Sequence, residues 1–328
     1  MSSWTGRRVL VTGAGGFIGS HLTERLVELG AEARALVEYN SLDSWGWLDE
    51  SPAKGDIEVL LGDVRDSDST DRAAAGTETV FHLAALIAIP YSYEAPHSYV
   101  QTNVIGTLNV LHAAQRAGSQ LVVHTSTSEV YGSARYVPID EEHPLQGQSP
   151  YSASKIGADK MAEAFHRSFG LPVATLRPFN TYGPRQSARA VIPTVITQLL
   201  AGDSVELGNL TPTRDFTYVT DTVEAFVRIA DCPEAVGRVL NTGSGKEISI
   251  GELVERIETV LARRAPVERK AERVRPPGSE VERLCANAGA ARALLDWEPR
   301  VALDDGLAAT AAWLADNLER YRLGAYAL

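Results

Sequence analysis

Short apolar runs rich in β-branched residues alternate with longer amphipathic segments through the first half of the chain. The runs occupy residues 9–12, 33–37, 57–60, 80–83, 121–125 and 173–177. They are continuous apolar runs and not strict alternations, as expected of strands that are covered on both faces by crossover helices. The pattern therefore predicts an α/β chain built on a doubly wound parallel sheet.

After residue 178 the regular alternation of strand-like and helical segments ends. Loops rich in proline, glycine, asparagine and threonine follow, mixed with short helical and strand-like segments. The apolar segments 219–230 and 239–242 have the character of elements that return to the main sheet. We therefore expect a sheet domain over residues 1–178, to which 215–243 returns, and a smaller mixed α/β lobe that takes up most of 179–328.

Composition and charge exclude several classes of protein. The formal net charge of −11 argues against a nucleic-acid partner, since binding the phosphate backbone needs a basic surface. No apolar run reaches the roughly 18 residues that cross a bilayer, and the first residues lack a signal-peptide pattern. We therefore expect a cytoplasmic protein without a membrane partner. Cys232 and Cys285 have no metal-ligand spacing and are interpreted as packing residues, so no metal site is predicted.

A glycine-rich turn joins the first predicted strand to the first predicted helix. Gly13, Gly16 and Gly19 have the spacing GxxGxxG. The first glycine permits a tight turn, the second lets a pyrophosphate approach the backbone, and the third lets the helix pack closely on the strand. A helix N-terminus at this point can bind the pyrophosphate through its N–H groups. The turn, which includes Phe17 and Ile18, therefore predicts a dinucleotide site on a Rossmann-type sheet.

Acidic residues after the second and third predicted strands narrow the choice of dinucleotide. Glu38 is placed to accept hydrogen bonds from the adenosine ribose, and its charge would repel the 2′-phosphate of NADP, so NAD is predicted. A solvated strand-end residue is the alternative for Glu38. Asp63 can accept the adenine amino group, or it can simply form a turn. The other predicted cofactor contacts are Val64, Leu83, Ala84 and Ala85.

A tyrosine and a lysine four residues apart begin another predicted helix. Tyr151 follows Ser149 and Pro150, and Lys155 lies one turn later on the same face. A cation beside a phenol lowers the phenol pKa from about 10 towards neutrality. Tyr151 is therefore a candidate general base for the oxidation of an alcohol. An isolated pair of this kind would indicate only a surface contact, but with the glycine turn it predicts a dehydrogenase-type active site.

The chain resembles the extended short-chain dehydrogenases/reductases over nearly its whole length. The resemblance rests on segments 13–19, 82–85, 102–107, 151–155 and 177–180. It implies NAD as cofactor and a nucleotide-linked sugar as substrate. It also implies that Thr127 hydrogen-bonds the 4-hydroxyl of the sugar, that Asn103 supports the water network of the active site, and that Lys155 holds the nicotinamide ribose.

The residues after the fifth predicted strand distinguish between reactions of this family. By the resemblance, sugar-nucleotide 4,6-dehydratases carry a carboxylate where this chain has Glu129. Simple 4-epimerases usually carry small or apolar residues where Ser128 and Glu129 stand. A ketone at C4 makes the C5 proton acidic enough for a carboxylate to remove it. Ser128 stands where dTDP-glucose dehydratases have an aspartic acid. The Thr-Ser-Glu triplet is similar to that of GDP-mannose 4,6-dehydratases and UDP-glucuronate decarboxylases. A helix-capping or ion-paired Glu129 is the structural alternative.

Polar residues in the loops of the second lobe are candidates for binding the nucleotide sugar. Arg214 and Arg275 suit a diphosphate, because a guanidinium group can bind it through two parallel hydrogen bonds. By the resemblance, Asn180 also contacts the diphosphate. Each arginine taken alone could equally be a surface residue. Together these positions predict a diphosphate site.

Three further segments narrow the resemblance to a subgroup. Residues 39–48, 90–93 and 186–193, the last of which contains the predicted substrate residue Arg189, are similar to bacterial NAD-dependent dehydratases of the legionaminic acid pathway. Those enzymes act on UDP- or GDP-linked N-acetylglucosamine. The tryptophans of the first segment, Trp45 and Trp47, could instead form a lid or a subunit contact, since such residues favour interfaces.

The favoured reaction is 4,6-dehydration of a nucleotide-linked hexose. Decarboxylation of a nucleotide-linked uronic acid and simple 4-epimerisation are the alternatives within the enzyme class. A non-catalytic NAD-binding protein is a further alternative, against which the intact set of Thr127, Tyr151 and Lys155 argues. The segments 98–117 and 150–168 resemble the helix pair that forms the dimer contact in relatives, so a homodimer is predicted.

Overall fold

The computed structural model describes residues 3–321 and contains a seven-stranded parallel sheet. In chain order the strands are β1 (Arg8–Thr12), β2 (Glu32–Glu38), β3 (Ile57–Gly62), β4 (Thr79–His82), β5 (Leu121–Thr125), β6 (Val173–Pro178), β7 (Thr181–Tyr182), β8 (Val205–Leu207), β9 (Thr213–Asp215), β10 (Thr217–Tyr218), β11 (Val239–Thr242), β12 (Glu247–Ser249) and β13 (Val267–Arg269). The six strands predicted from apolar runs are β1 to β6.

Helices cover the sheet and build the later part of the chain. They are α1 (Phe17–Glu28), α2 (Ser67–Ala74), α3 (Ile89–Glu94), α4 (Pro96–Tyr99), α5 (Gly106–Ala117), α6 (Pro150–Phe169), α7 (Val191–Ala201), α8 (Val219–Ala230), α9 (Ile250–Leu261), α10 (Gly289–Leu295) and α11 (Leu303–Asp316). No helix of residues 3–321 is long and apolar enough to cross a membrane.

The strand order of the sheet confirms the predicted doubly wound fold. Across the sheet the order is β11-β6-β5-β4-β1-β2-β3, and all neighbours are parallel. The chain runs outward in one direction from β1 to β3 and in the other from β4 to β6. Beyond the carboxyl ends of β1 and β4 the connections diverge, which opens the crevice in which ligands bind in such sheets.

Apolar clusters lie on both faces of the sheet. One contains Leu22 and Leu26 of α1 with Phe226 of α8, and the other contains Leu111 of α5 with Phe165 of α6. The segment 239–242 pairs with β6 as β11, whereas 219–230 is the helix α8, which packs against α1 and β6. Both segments therefore belong to the sheet layer, one as a strand and one as a helix.

The later part of the chain forms a separate apolar cluster. Helices α7, α9 and α11 pack together around a third core, and the short pairs β8–β13, β9–β12 and β7–β10 lie beside them. The predicted helix over 98–117 is not regular. Residues Val100–Ile105 form a π-helix between α4 and α5. Such segments are rare and frequently mark functional sites, and this one contains Asn103.

Candidate active site

The turn after β1 is a cradle that requires glycine. Gly13 has a φ of +69°, and a Cβ atom there would lie 2.8 Å from the backbone nitrogen of Ala84. A Cβ atom on Gly19 would lie 2.2 Å from the carbonyl oxygen of Gly13. Helix α1 begins after Gly16 without a side-chain cap and without an acidic residue in its first turn. The open backbone and the uncapped N-terminus suit a pyrophosphate, as the sequence predicted.

Hydrogen bonds hold the loop after β4 against this turn. The hydroxyl of Thr12, at the end of β1, accepts hydrogen bonds from the backbone N–H groups of Leu83 and Ala84, at 3.2 and 3.1 Å. Leu83, Ala84 and Ala85 are all partly exposed at the carboxyl edge of the sheet. These predicted cofactor residues therefore lie beside the glycine turn, although they are separated from it in sequence.

The acidic residues at the ends of β2 and β3 are also close together. Glu38 is exposed and pairs in register with Gly62 of β3. The Asp63 carboxylate accepts a hydrogen bond of 2.8 Å from the side chain of Arg65, and this bond, opposed by burial, lowers the Asp63 pKa. Glu38 is thus available to ribose hydroxyls. Asp63 is engaged by Arg65, which weakens its predicted role towards adenine, and Val64 is buried beside Gly106.

The loop after β2 docks on the glycine turn. The backbone N–H of Trp47 donates to the carbonyl of Gly15 over 3.0 Å. The ring centres of Trp47 and of Trp313 in α11 are 5.3 Å apart. The Lys54 ammonium lies 4.6 Å from the centre of the Trp45 ring. Both tryptophans therefore make contacts within the chain. The loop connects the cofactor turn to the core of the later segment.

The predicted catalytic residues converge at the carboxyl end of β5. Tyr151 and Lys155 are buried in the first turns of α6, which is capped by Ser149 in a capping box. The Lys155 amine donates to the Thr125 carbonyl over 2.6 Å. Thr127 caps the 3₁₀ helix Ser128–Tyr131 by accepting from the Glu129 N–H at 3.2 Å. Thr127 is also hydrogen-bonded to Tyr151.

The titration of Tyr151 differs from the sequence-based prediction. Burial raises the pKa of the phenol above its usual value, the hydrogen bond with Thr127 lowers it, and the negative charge of Glu129 raises it again. Burial outweighs the other effects on the Tyr151 pKa in this structure, so the predicted lowering of that pKa by Lys155 is not seen. Tyr151 is a protonated phenol at neutral pH in the folded chain.

Lys155 is balanced by a carboxylate that the sequence analysis missed. Burial lowers the Lys155 pKa to about 8, and the charge of Asp159, one turn further along α6, acts in the opposite direction. Burial also tends to raise the pKa of Asp159, but the His124 hydrogen bond and the Arg177 charge bring it down to about 2. Asp159 is therefore a buried anion that supports the charge on Lys155.

The same carboxylate ties three parts of the site together. Asp159 accepts from His124 of β5 at 3.1 Å, from the Ser126 hydroxyl at 2.7 Å and from Arg177 of β6 at 2.9 Å. Arg177 donates in turn to the Tyr131 hydroxyl at 2.9 Å. Because Tyr131 ends the 3₁₀ helix that carries Glu129, this buried network sets the position of that helix relative to α6.

Asn103 makes three hydrogen bonds with protein groups. Its side-chain nitrogen donates to the carbonyl of Leu86 and to the Ser154 hydroxyl, each at 2.9 Å, and its oxygen accepts from the Leu86 N–H at 2.9 Å. The amide is buried and is used in contacts with protein groups. Asn103 therefore fastens the loop after β4 to α6, and its place in the water network of the active site stays a prediction.

Two predicted substrate residues lie next to Glu129. Nη1 of Arg275 is 4.0 Å from Oε1 of Glu129, and 3.7 Å from Oε1 of Glu280. Nη2 of Arg214 is 3.7 Å from the same Glu280 oxygen. The buried Asp215 carboxylate anchors Arg214 by accepting from Ser244 and from the backbone of residues 245 and 286. Two cations and two carboxylates therefore share one site.

The other two predicted substrate residues are more peripheral. Asn180 is partly buried, and its side chain donates to the Asp215 carbonyl at 3.4 Å. Arg189 is exposed; its side chain donates to the Ser187 hydroxyl at 3.3 Å, and its charge acts on Tyr99. Tyr99 in turn meets the Tyr151 ring edge-on at 6.2 Å. Arg189 is therefore linked to Tyr151 through Tyr99, whereas Asn180 contacts the residue that follows Arg214.

Sequence reasoning missed Asp159 and Glu280. Asp159 follows Lys155 by four residues and Tyr151 by eight, so helical spacing puts all three on one face of α6 and could have revealed it. Glu280 lies in an irregular loop with no such periodicity. Ser128, a predicted catalytic residue, is buried. Within residues 3–321, no cluster of three His, Cys, Asp or Glu side chains could hold a metal ion.

The fold and the site define an enzyme of the short-chain dehydrogenase/reductase class. The family model described as "GDP-mannose 4,6 dehydratase" matches residues 10–310. The chain therefore belongs to this family of NAD-dependent sugar-nucleotide 4,6-dehydratases and epimerases. The predicted membership of the wider epimerase/dehydratase group is confirmed, whereas the legionaminic acid type is not confirmed.

Relatives of both reaction types are similar to this chain. A dTDP-glucose 4,6-dehydratase of Streptomyces griseus is 38% identical over 93% of each chain. A UDP-glucose 4-epimerase of Mycolicibacterium smegmatis is 35% identical over 92% of this chain and 97% of its own. The structure of DesIV, a dTDP-glucose 4,6-dehydratase of Streptomyces venezuelae with NAD bound, superposes with a TM-score of 0.89 at 31% identity, over 96% of this chain and 99% of its own. The predicted cofactor, NAD, is confirmed for the family.

Proposed function

We propose that this protein catalyses NAD-dependent 4,6-dehydration of a nucleotide-linked hexose, with UDP- or GDP-linked N-acetylglucosamine as substrate. The product is the 4-keto-6-deoxy sugar. The proposal is supported by the position of the Glu129 carboxylate beside Tyr151 and Thr127. Glu129 is close enough for its charge to raise the pKa of the Tyr151 phenol. A carboxylate next to the C4 alcohol site is the group that elimination across C5 and C6 needs.

Each residue has a defined task in this proposal. Thr127 and Tyr151 bind the C4 hydroxyl. The Tyr151 phenol first releases its own proton to solvent, a step that the buried positive charge of Lys155 favours, and the resulting phenolate takes the proton of the C4 hydroxyl. Bound NAD supplies the hydride acceptor for C4 and the hydride donor for C6. Glu129 removes the C5 proton and passes it to the departing C6 hydroxyl, so that water leaves. Reprotonation at C5 then completes the balance, because one proton has been taken from the C4 oxygen.

The residue before Glu129, Ser128, determines that Glu129 must carry out both proton transfers of the elimination. It is buried and has no acidic group, so a second carboxylic acid is not available at the position where dTDP-glucose dehydratases have aspartic acid. In this proposal Glu129, with 12% of its side chain exposed, therefore acts both as the base at C5 and as the proton donor to the leaving hydroxyl. Such a one-residue shuttle requires C5 and C6 to face the same carboxylate.

The nucleotide part of the substrate is assigned to the second lobe. In this proposal Arg214, Arg275 and Asn180 bind the diphosphate, and Arg189 contributes from the rim. Residues 1–178 with 215–243 act as the NAD-binding domain, and 179–328 act mainly as the nucleotide-sugar lobe. The similarity of segments 39–48 and 186–193 to dehydratases of the legionaminic acid pathway supports N-acetylglucosamine as the sugar.

Epimerisation and decarboxylation are the competing functions. The 35% identity to a UDP-glucose 4-epimerase favours simple 4-epimerisation, which would need Tyr151, Thr127 and NAD but no base at C5. Decarboxylation of a uronic acid would use an arginine at the C6 carboxylate, and Arg275 is close to Glu129. The presence of Glu129 itself argues for the proposed elimination over epimerisation.

Product mass separates these three reactions. Purified protein is incubated with UDP- and GDP-linked N-acetylglucosamine, and in parallel with UDP-glucuronate. We expect loss of one water from one of the first two, with no net consumption of NAD. Loss of carbon dioxide from UDP-glucuronate would favour decarboxylation, and an epimer of unchanged mass, separated by chromatography, would favour epimerisation.

We also propose that the enzyme acts in the cytoplasm as a homodimer built on α5 and α6. Phe169 at the end of α6 is exposed, as is Val100 in the π-helix that leads into α5. Apolar side chains of this kind favour burial against a second copy. Light scattering tests the assembly, and a monomer at micromolar concentration would contradict it.

A further inference from the structure

The segment 275–280, the Arg275 loop, has little apolar packing of its own. Pro276, Pro277 and Gly278 are exposed. An open cavity of about 540 Å³ lies against the loop and is lined by Arg269, Ala271, Val274, Arg275, Pro276 and Pro277. The position of the Arg275 loop therefore depends on the contacts at its other end, around residues 278–280.

Gln148 and Ser133 bind this other end of the loop. The side-chain nitrogen of Gln148 donates to the Gly278 carbonyl at 3.3 Å and to the Glu280 carbonyl at 3.2 Å. The Ser133 hydroxyl donates to the same Glu280 carbonyl at 3.3 Å. Backbone carbonyls of the loop are therefore held by side chains that are distant from it in sequence.

Gln148 also contacts the segment that follows the proposed base. Its side-chain oxygen accepts a hydrogen bond from the Ser133 N–H. Ser133 lies two residues after the 3₁₀ helix that carries Glu129, and Gln148 lies two residues before α6, which carries Tyr151. One amide group therefore connects the Arg275 loop to both elements that present the catalytic side chains.

A further contact to the loop comes from α3. The hydroxyls of Tyr93 and Ser279 are 2.6 Å apart, and Ser279 is buried. Tyr93 packs against the apolar cluster that contains Tyr99 and Tyr151. The wall that supports the catalytic phenol therefore also supports the Arg275 loop.

We propose that Gln148 and Tyr93 are positioning residues that hold Arg275 ready for the diphosphate of the substrate. This inference rests on the proposed function, which assigns Arg275 to the diphosphate. Nη1 of Arg275 is buried and has no hydrogen-bond partner among the described residues. A loop that is fixed before binding loses less conformational freedom when the diphosphate arrives, so the affinity is higher. Because Arg275 lies 4.0 Å from Glu129, fixing the loop also sets the diphosphate end of the site relative to the proposed base.

The test measures affinity, which does not depend on turnover. UDP and GDP are titrated by calorimetry into the NAD-loaded wild type and into Gln148→Met, which keeps a side chain of similar length and removes its hydrogen bonds. For whichever nucleotide the wild type binds, we expect Gln148→Met to weaken binding by about tenfold, as the loss of one or two hydrogen bonds does. The affinity for NAD should not change.

A double-mutant cycle with Arg275→Ala separates positioning from a general structural role. If Gln148 acts through Arg275, Gln148→Met should change nucleotide affinity by less than about twofold in the Arg275→Ala background. A general loss of packing would weaken binding by the same factor in both backgrounds and would overturn the inference. Unchanged nucleotide affinity in Arg275→Ala alone would overturn it as well.

Gln146→Met is the matched control, because it makes the same change at an exposed position two residues away. It should leave nucleotide affinity unchanged. Tyr93→Phe removes only the hydroxyl that contacts Ser279. It should weaken nucleotide binding by about threefold, and it carries the test, including the cycle, if Gln148→Met does not fold. Unchanged affinity in the folded variant, or an equal loss in Gln146→Met, would overturn the inference.

The outcome is distinguishable from that of the proposed function. If the variants lose nucleotide affinity as expected but the wild type releases no water from either nucleotide sugar, the proposed dehydration fails and the positioning role stands. If water is released but Gln148→Met and Tyr93→Phe bind the nucleotide as tightly as the wild type, the dehydration stands and the positioning role fails. Binding of neither UDP nor GDP by the wild type would overturn both.

Discussion

The two ends of the active site are built in different ways. At the cofactor end, the decisive features are backbone features within one short stretch, where Gly13 adopts a positive φ and Gly19 lets α1 approach β1. At the sugar end, Glu129, Arg214, Arg275 and Glu280 come from separate segments and meet only through side chains. A local motif makes the first site, whereas long-range packing makes the second.

This difference separates what determines cofactor binding from what determines substrate binding. A backbone cradle suits a pyrophosphate because its shape depends on glycines and on a helix N-terminus. A cluster of charged side chains can be retuned by one substitution, which changes the substrate without touching the cofactor. A dehydratase and an epimerase can therefore both be more than a third identical to this chain.

The largest effect is expected from the sugar end. Glu129→Gln should lower the rate of water loss by about a hundredfold to ten-thousandfold, because the base for C5 is removed. NAD binding should not change, and reduced nicotinamide should accumulate, since oxidation at C4 does not need Glu129. Absorbance of the reduced cofactor and product mass are measured together. Glu142→Gln, which removes a carboxylate from an exposed position in the following loop, serves as control. Unchanged water loss in Glu129→Gln would contradict the assignment.

The next effect concerns the network that joins the two ends. Asp159→Asn should destabilise the protein by about 3–5 kcal/mol, because it leaves Arg177 as a buried charge without its partner. Chemical denaturation measures this loss. Glu163→Gln, which removes a partly exposed carboxylate from the next turn of α6, is the control and should change stability by well under about 1 kcal/mol.

Asp159→Asn should also change the pH dependence of activity. Lys155 has a pKa of about 8, below its usual value, so it loses its charge as pH rises past about 8 and activity should fall there. Asp159 acts to raise that pKa, so Asp159→Asn should move this fall to lower pH. His82 and His124 of the neighbouring strands have lowered pKa values because they are buried, so they are uncharged in this range. A pH profile with an unmoved alkaline limb would count against the coupling.

The smallest effect is expected at the cofactor end. Gly19→Ala brings a Cβ atom to 2.2 Å from the Gly13 carbonyl, so α1 must shift. We expect a loss of about 1–3 kcal/mol in stability and weaker NAD binding, measured by thermal unfolding and by titration. Gly55→Ala introduces a Cβ with nothing within 4 Å and is the matched control. If Gly19→Ala and Gly55→Ala show the same stability and the same NAD affinity, the turn does not require glycine at position 19.

Much of the fold followed from periodicity. The six predicted strands match β1 to β6 because continuous apolar runs of strand length are typical of strands in a parallel sheet covered by helices. The helix predicted over 98–117 was interrupted by the π-helix, because three hydrogen bonds of Asn103 tie that segment to Leu86 and Ser154. No local pattern reveals such a contact, since its partners lie on another loop and on α6.

The sequence by itself determined the sheet, the glycine turn and the spacing of Tyr151 and Lys155, because each depends on residues that are neighbours along one element. Only the tertiary structure decided the raised pKa of Tyr151, the support of Lys155 by Asp159 within a three-element network, and the meeting of Glu280 with both arginines. The desolvation of a group and the electrostatic potential at it depend on all the atoms that surround it. They are therefore defined only after the chain has brought distant segments together.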